Sequence, residues 1–321
     1  MKPLGKTLLI PLISLLFISC SNDQPVHQKE QEAPITFTQN EQEFEIIYMY
    51  DEMKEYINSV REKSGSSNDA VYIDQVFEPF KELSDMESFR LAYPFEPTYE
   101  LDKLEESIAD LIRDKDSTDQ IIKESLLKSS EKLPGDNKKI FVLPVNPEDT
   151  LAVEEMGGVE GIVLAEDVIV LKLLPSFDKG MLKYSVAHEY NHAIEGESND
   201  GMIHTILGAV VMEGKVDVFA SILYPQIDVP WKDPMNTETK EKVVKELMEI
   251  GDSSDPRLHL GLRSGNPSKG IPQWANYKIG FEIVQSYIEN HPEVSVGKWT
   301  SMHEQEIIAG SEYAVITAYE E

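Results

Sequence analysis

Ser185-Val-Ala-His-Glu-Tyr-Asn-His-Ala-Ile194 places two histidines four residues apart, with an acid directly after the first: His188-Glu189-x-x-His192. On an α-helix, positions four apart lie on one face, about 40° apart around the axis. Two imidazoles one turn apart therefore reach a single metal ion. Glu189 sits one step round the same turn, able to reach a water on that ion but turned away from being a ligand. Two histidines and one carboxylate with an open fourth position is how zinc is held for catalysis, whereas structural zinc sites are closed. The pattern has meaning only on a helix. Leu182, Val186, Ala193 and Ile194 supply a partial apolar stripe, no proline interrupts it, and Gly196 predicts its end, with a polar loop over residues 195–201.

The chain must supply a third ligand. A further histidine six residues after His192, preceded by glycine, is excluded by inspection, because Glu195 and Ser198 stand there. Glu197, Asp200, His204 and Glu213 remain. Glu213 is the first choice. It lies on a predicted helix over residues 205–223 that has room to double back antiparallel to the first. His204 is the next candidate. That second helix is apolar on most of its surface, through Ile206, Leu207, Val210, Val211, Phe219 and Ile222, so an acid on its inner face needs a partner. Asp217, one turn after Glu213, is placed to accept the free N–H of a zinc-bound histidine and fix its tautomer.

His188-Glu-x-x-His192 followed by Glu213-x-x-x-Asp217 resembles the gluzincin, thermolysin-like metallopeptidases. More narrowly, residues 157–313 resemble a bacterial family of predicted zinc-dependent proteases. The resemblance rests on Val186-Ala-His-Glu-Tyr-Asn-His192, Val211-Met-Glu-Gly214 and Tyr277-Lys-Ile-Gly280. It implies one Zn²⁺ per chain on His188, His192 and Glu213, Glu189 as general base, Asp217 behind the ligands, and a peptide or protein substrate. Such peptidases add a Tyr or His that donates to the oxyanion. Tyr277 is the first choice because it lies in the matching motif, and His259 and His204 follow.

Upstream the hydrophobic period changes. A short apolar strand over residues 139–144 precedes two strands, residues 157–164 and 168–173, that read as a hairpin around Ala165-Glu166-Asp167, its glycines marking a bulge. A sheet edge beside a zinc helix either takes an extended peptide as an added strand or is an ordinary edge. Before residue 135 the pattern is helical and carries no chemistry. Helices are predicted from residue 41 to Gly65, then over residues 69–83, 101–113 and 117–132. Beyond the site, residues 235–250 predict a helix, 257–271 a loop, 274–290 a helix and 296–310 a last helix.

Lys2 and Lys6, the apolar run from Leu8 to Ile18, and Leu16-Phe-Ile-Ser-Cys20 resemble a bacterial lipoprotein signal cut before Cys20, whose thiol would carry the lipid. Phe17 departs from the usual leucine. The apolar run is short for a membrane span. Cys20 is the only cysteine, which suits an oxidising exterior and needs no disulfide. The expected organisation is a signal peptide over residues 1–19, a tether over 20–40, and one domain over 41–321, with a helical part over 41–134 and the site in 139–321. A net charge of −29 argues against nucleic acid and against a polybasic grip on lipid, leaving the lipid anchor as the membrane contact. The expectation is an α+β, mostly helical, zincin-like fold with a small sheet beside the zinc helix. Its expected work is extracytoplasmic peptide-bond hydrolysis at the cell membrane. The alternatives are a surface lipoprotein that binds peptides or a partner without cleaving them, and a small-molecule metallohydrolase.

Overall fold

A computed structural model describes residues 33–62, 67–90, 94–198 and 205–317. The lipobox-like stretch and Cys20 lie outside the described residues. Two strands open the fold, β1 (Ile35–Gln39) and β2 (Gln42–Tyr48). They pair antiparallel through the two-residue turn Asn40-Glu41, both at positive φ of 51° and 73°. Two left-handed residues match a hairpin turn to the twist of its strands. This corrects two expectations: residues 35–39 are a strand of the sheet rather than tether, and residues 42–48 are a strand rather than the start of a helix. Phe44 and Ile46 alternate into the core, and that periodicity of two overrides the spacing of three between Phe44 and Ile47.

The helical part follows: α1 (Tyr50–Glu62), α2 (Asn68–Tyr72), a π turn (Ile73–Phe77), α3 (Glu78–Ser84), α4 (Leu101–Arg113) and α5 (Lys115–Lys132). These helices form the crossover from β2 to its parallel neighbour β3 (Lys138–Pro144). A short α6 (Thr150–Glu154) leads to β4 (Val159–Ala165) and β5 (Val168–Leu173), the expected hairpin. Its irregularity falls between Val163 and Ala165, at the turn end, and not at the glycines. The mixed sheet has the order β1-β2-β3-β5-β4, so β4 is an edge strand.

α7 (Lys179–Ser198) carries the two histidines, with Asp178 Oδ1 accepting from Met181 N at 2.8 Å at its start. It runs through Gly196, which was expected to stop it. Glu197 explains the extension: its Oε1 accepts from Asp136 N at 2.9 Å and from Lys138 Nζ, tying the last turn to the start of β3. α8 (Ile206–Leu223) is capped by Thr205, whose hydroxyl accepts from Gly208 N at 3.0 Å. A 3-10 turn (Pro230–Lys232), α9 (Thr237–Ile250), α10 (Pro256–Ser264) and α11 (Ala275–Asn290) follow. α10 occupies residues expected to be a loop. Asp255 accepts from Arg257 N at 2.9 Å, Pro256 opens the first turn and Leu262 packs inward, which outweighs the Gly and Ser content.

The expected last helix is two, α12 (Val296–Thr300) and α13 (Glu304–Ala309). Buried Lys215 of α8 takes up the carbonyls of Thr300 at 3.1 Å and Met302 at 2.7 Å, and so holds the chain open between them. A 3-10 turn (Ala314–Ile316) ends the described fold.

α7 packs against β4, α5 and α8, and α11 lies along α8. Gly214 and Gly280 make that last contact possible. A Cβ on Gly214 would meet Gly280 O at 2.1 Å, and one on Gly280 would meet Val210 O at 2.1 Å. The helices cross backbone to backbone, which brings α11 close beside Glu213. The fold class is α+β, mainly helical, with a small sheet against the histidine helix. No helix among the described residues is long and apolar enough to cross a membrane.

Candidate metal centre

His188 and His192 project from one face of α7, their rings 4.9 Å apart between centroids. Of the three residues between them, Tyr190 and Asn191 point elsewhere. The Tyr190 hydroxyl donates to Leu133 O at 2.7 Å, and Asn191 Nδ2 reaches Thr300 Oγ1 at 3.4 Å. Side chains on the remaining faces of α7 thus lock its rotation, so that the histidines can face only α8.

α8 brings Glu213 to both rings. Its Oε2 lies 3.4 Å from His188 Nε2 and 3.5 Å from His192 Nε2. These are long for charge-assisted hydrogen bonds. They match the edge of a tetrahedron about 3.3 Å between ligands, which zinc bonds of about 2.0–2.1 Å require. One ligand atom from each of the three residues lies within 4.8 Å of the others. Glu213 Oε2 is buried and has no hydrogen-bond partner among the described residues, the condition expected of an oxygen shaped for a cation. Two imidazoles and a carboxylate suit zinc. Among the described residues this is the cluster that fits a metal.

Asp217 is fully buried one turn along α8. Its Oδ1 lies 3.0 Å from His188 Nδ1 and accepts from the Tyr184 hydroxyl at 2.9 Å and Trp231 Nε1 at 3.1 Å. Holding Nδ1 as a donor leaves Nε2 unprotonated toward Glu213, as ligation requires. Burial opposes charging of both histidines. At His188 the acids Asp217 and Glu213 more than offset it, and at His192 Glu213 does, so both are held above the usual imidazole range in the metal-free chain. Burial pushes Glu213 up, but the two imidazoles outweigh it and hold its carboxyl well below the usual range.

Glu189 is buried beside the cluster and is not part of it. Burial raises its carboxyl above the ordinary value, with His188 and His192 opposing. Gly161 of β4 makes room for it: a Cβ there would meet Glu189 Cγ and Oε1 at 2.5 Å. The centre opens into a cleft of about 1230 Å³. One wall is the β4 edge from Glu160 to Ala165. The opposite wall includes Arg263, Trp274, Tyr277 and the stretch 302–305.

The structure brings His188, His192, Glu189, Glu213, Asp217 and Tyr277 to one place. Tyr277 lines the cleft, and its hydroxyl makes no hydrogen bond to a described residue. Glu197 is not at the centre, since Lys138 and Asp136 hold it. Asp200 and His204 lie outside the described residues. His259 lies on α10, with a buried Nε2 that has no partner among the described residues. Sequence reasoning missed Tyr184, Trp231, Gly161 and Arg263. Tyr184, one turn before His188 on the same face, could have been found by helical spacing. Nothing local pointed to Trp231.

Residues 118–309, more than half of the chain, match the family described as "Predicted Zn-dependent protease (DUF2268)". The match begins within α5 and ends with α13, and it contains every residue of the centre. No curated protein and no solved structure matches the chain.

Proposed function

The chain belongs to this family of predicted zinc-dependent proteases, and from that premise we propose that it is a lipid-anchored, extracytoplasmic zinc metallopeptidase of the gluzincin type. One observation carries the peptidase reading: Glu189 shares the cleft with the three candidate ligands without being one of them. An acid left free beside a metal serves proton transfer, and a binding module has no use for it.

His188, His192 and Glu213 would hold one zinc ion. When bound, zinc supplies a Lewis acid that polarises a carbonyl and lowers the pKa of a water to about 7. Glu189 accepts the proton of the attacking water as the new C–O bond forms. It then gives that proton to the amine that leaves as the C–N bond breaks. Burial raises the Glu189 carboxyl above the ordinary value, which makes it a stronger base than an exposed carboxylate. Asp217 fixes the His188 tautomer, Tyr184 and Trp231 fix Asp217, and Tyr277 is the candidate donor to the oxyanion. The unpaired edge of β4 along the cleft supports a substrate peptide lying extended along it.

The anchor reading rests on the sequence Leu16-Phe-Ile-Ser-Cys20 and the polar residues after it. Detergent phase partition of the parent and of a Cys20→Ser variant tests it, with only the parent expected in the detergent phase. The peptidase reading is tested with the soluble chain starting after Cys20 and its Glu189→Gln variant on a peptide library. Cleavage by the parent alone, with zinc in both, supports it. Zinc in both with cleavage in neither supports a binding lipoprotein instead.

A further inference from the structure

α10 presents His259 and Arg263 one helical turn apart, and the helix packs against α11 and α8. Arg263 O accepts from Trp274 N at 2.7 Å, which pins the end of α10 to the start of α11. The Arg263 side chain lines the same cleft as His188, Glu189, His192, Glu213 and Tyr277. Its guanidinium makes no ion pair or hydrogen bond with a described residue.

That freedom is informative in a chain with 58 acids and 29 bases. Of the acids along the cleft, Glu166 on the β4–β5 turn makes no ion pair among the described residues, and the others are engaged. Glu160 pairs with Lys172 at 2.8 Å, Glu197 pairs with Lys138, and Glu195 pairs with Lys215 at 2.6 Å. Glu189 and Glu213 belong to the metal centre. Lys215, the other cation along the cleft, is buried and fully engaged. Arg263 is therefore the cleft cation without an acid of its own among the described residues. Two more groups nearby lack partners among the described residues, the Tyr277 hydroxyl and the buried His259 Nε2. Arg263 and Tyr277 both line this wall of the cleft. Arg263 and Tyr277 thus put two polar groups on this wall that have no partner among the described residues, with His259 one turn from Arg263.

We propose that Arg263 binds a carboxylate of the peptide substrate, so that the cleft selects peptides carrying a free C-terminal carboxylate or an acidic side chain near the bond to be cut. The proposal rests on the peptidase reading for the word substrate, but binding tests it without turnover. A guanidinium and a carboxylate meet in two parallel hydrogen bonds, which fixes orientation as well as sign. The overall charge of −29 repels acidic peptides at a distance, so the preference arises at short range and survives added salt.

The experiment uses the zinc-loaded Glu189→Gln chain and fluorescently labelled peptides in matched pairs: C-terminal acid against amide, and internal Glu against Gln. We expect the carboxylate member of one pair to bind about ten- to a hundredfold tighter. Adding Arg263→Gln should abolish that difference with zinc content unchanged, and Arg263→Lys should restore part of it. A difference in the first pair identifies recognition of the peptide terminus, and in the second recognition of an acidic side chain. Equal binding within both pairs, a preference that persists in Arg263→Gln, or no binding of any peptide overturns the proposal. Cleavage by the parent is read separately. Its absence beside an Arg263-dependent preference would remove the peptidase reading and leave the carboxylate site standing.

Discussion

His188 Nδ1 lies 3.0 Å from Oδ1 of Asp217, an oxygen that also accepts from Tyr184 and Trp231. The histidine that would bind zinc is therefore oriented by an acid that two other donors hold. Asp217→Asn keeps the volume but loses the charge. Zinc affinity should fall about ten- to a hundredfold, read by competition with a chelator of known affinity. An unchanged affinity would show that the contact does not tune the ligand.

The helix crossing at Gly214 and Gly280 predicts a second effect. Gly214→Ala puts a Cβ 2.1 Å from Gly280 O, a backbone atom that cannot step aside. Thermal unfolding should report a loss of about 1–3 kcal/mol or more, together with weaker zinc retention, because the crossing also sets Glu213. Ala at Gly261, where a Cβ meets nothing within 4 Å, serves as the control and should be close to neutral.

Gly161→Ala separates the base from the metal. The new methyl would lie 2.5 Å from Glu189 Cγ, so the side chain must turn away from its position. Peptide cleavage should drop about a hundredfold, the scale of a misplacement near 1 Å, while zinc content stays that of the parent. Loss of zinc, or full activity, would contradict the placing of Glu189 against β4.

Protons and zinc compete for the same nitrogens. His188 and His192 are held above the ordinary imidazole value of 6.5 in the metal-free fold. Their protonation stabilises that fold fully below 6.5, and this contribution is lost as pH rises through the raised folded values. Zinc must displace those protons, so its apparent affinity should rise with pH across the same window. Calorimetry at about pH 7.5 in buffers of different ionisation enthalpy should find about one proton or more released per zinc. Imidazoles of ordinary pKa would release close to none, and that result would contradict the electrostatics described for the pair.

The histidine helix, the β4–β5 hairpin and Glu213 were legible because each rests on local spacing, two residues per strand repeat and four per helical turn. His188 and His192 on α7, and Glu213 and Asp217 on α8, stand one turn apart in sequence and meet in one cluster. What escaped depends on distant partners. Asn40-Glu41 forms a tight hairpin without a glycine, held by a sheet whose next strand begins at Lys138. The break between α12 and α13 is made by Lys215, 85 residues before Thr300. The run through Gly196 depends on Glu197 reaching Lys138. Trp231 reaches Asp217 across a turn bounded by Pro225 and Pro230, with no periodic signal.

The most direct test is the zinc content of the chain purified without added chelator, beside Glu213→Ala and His192→Ala variants whose folding is verified by circular dichroism. One zinc per parent chain and little in either variant is the expected result. No zinc in the parent, or equal zinc in all three, would contradict a metal centre built from His188, His192 and Glu213.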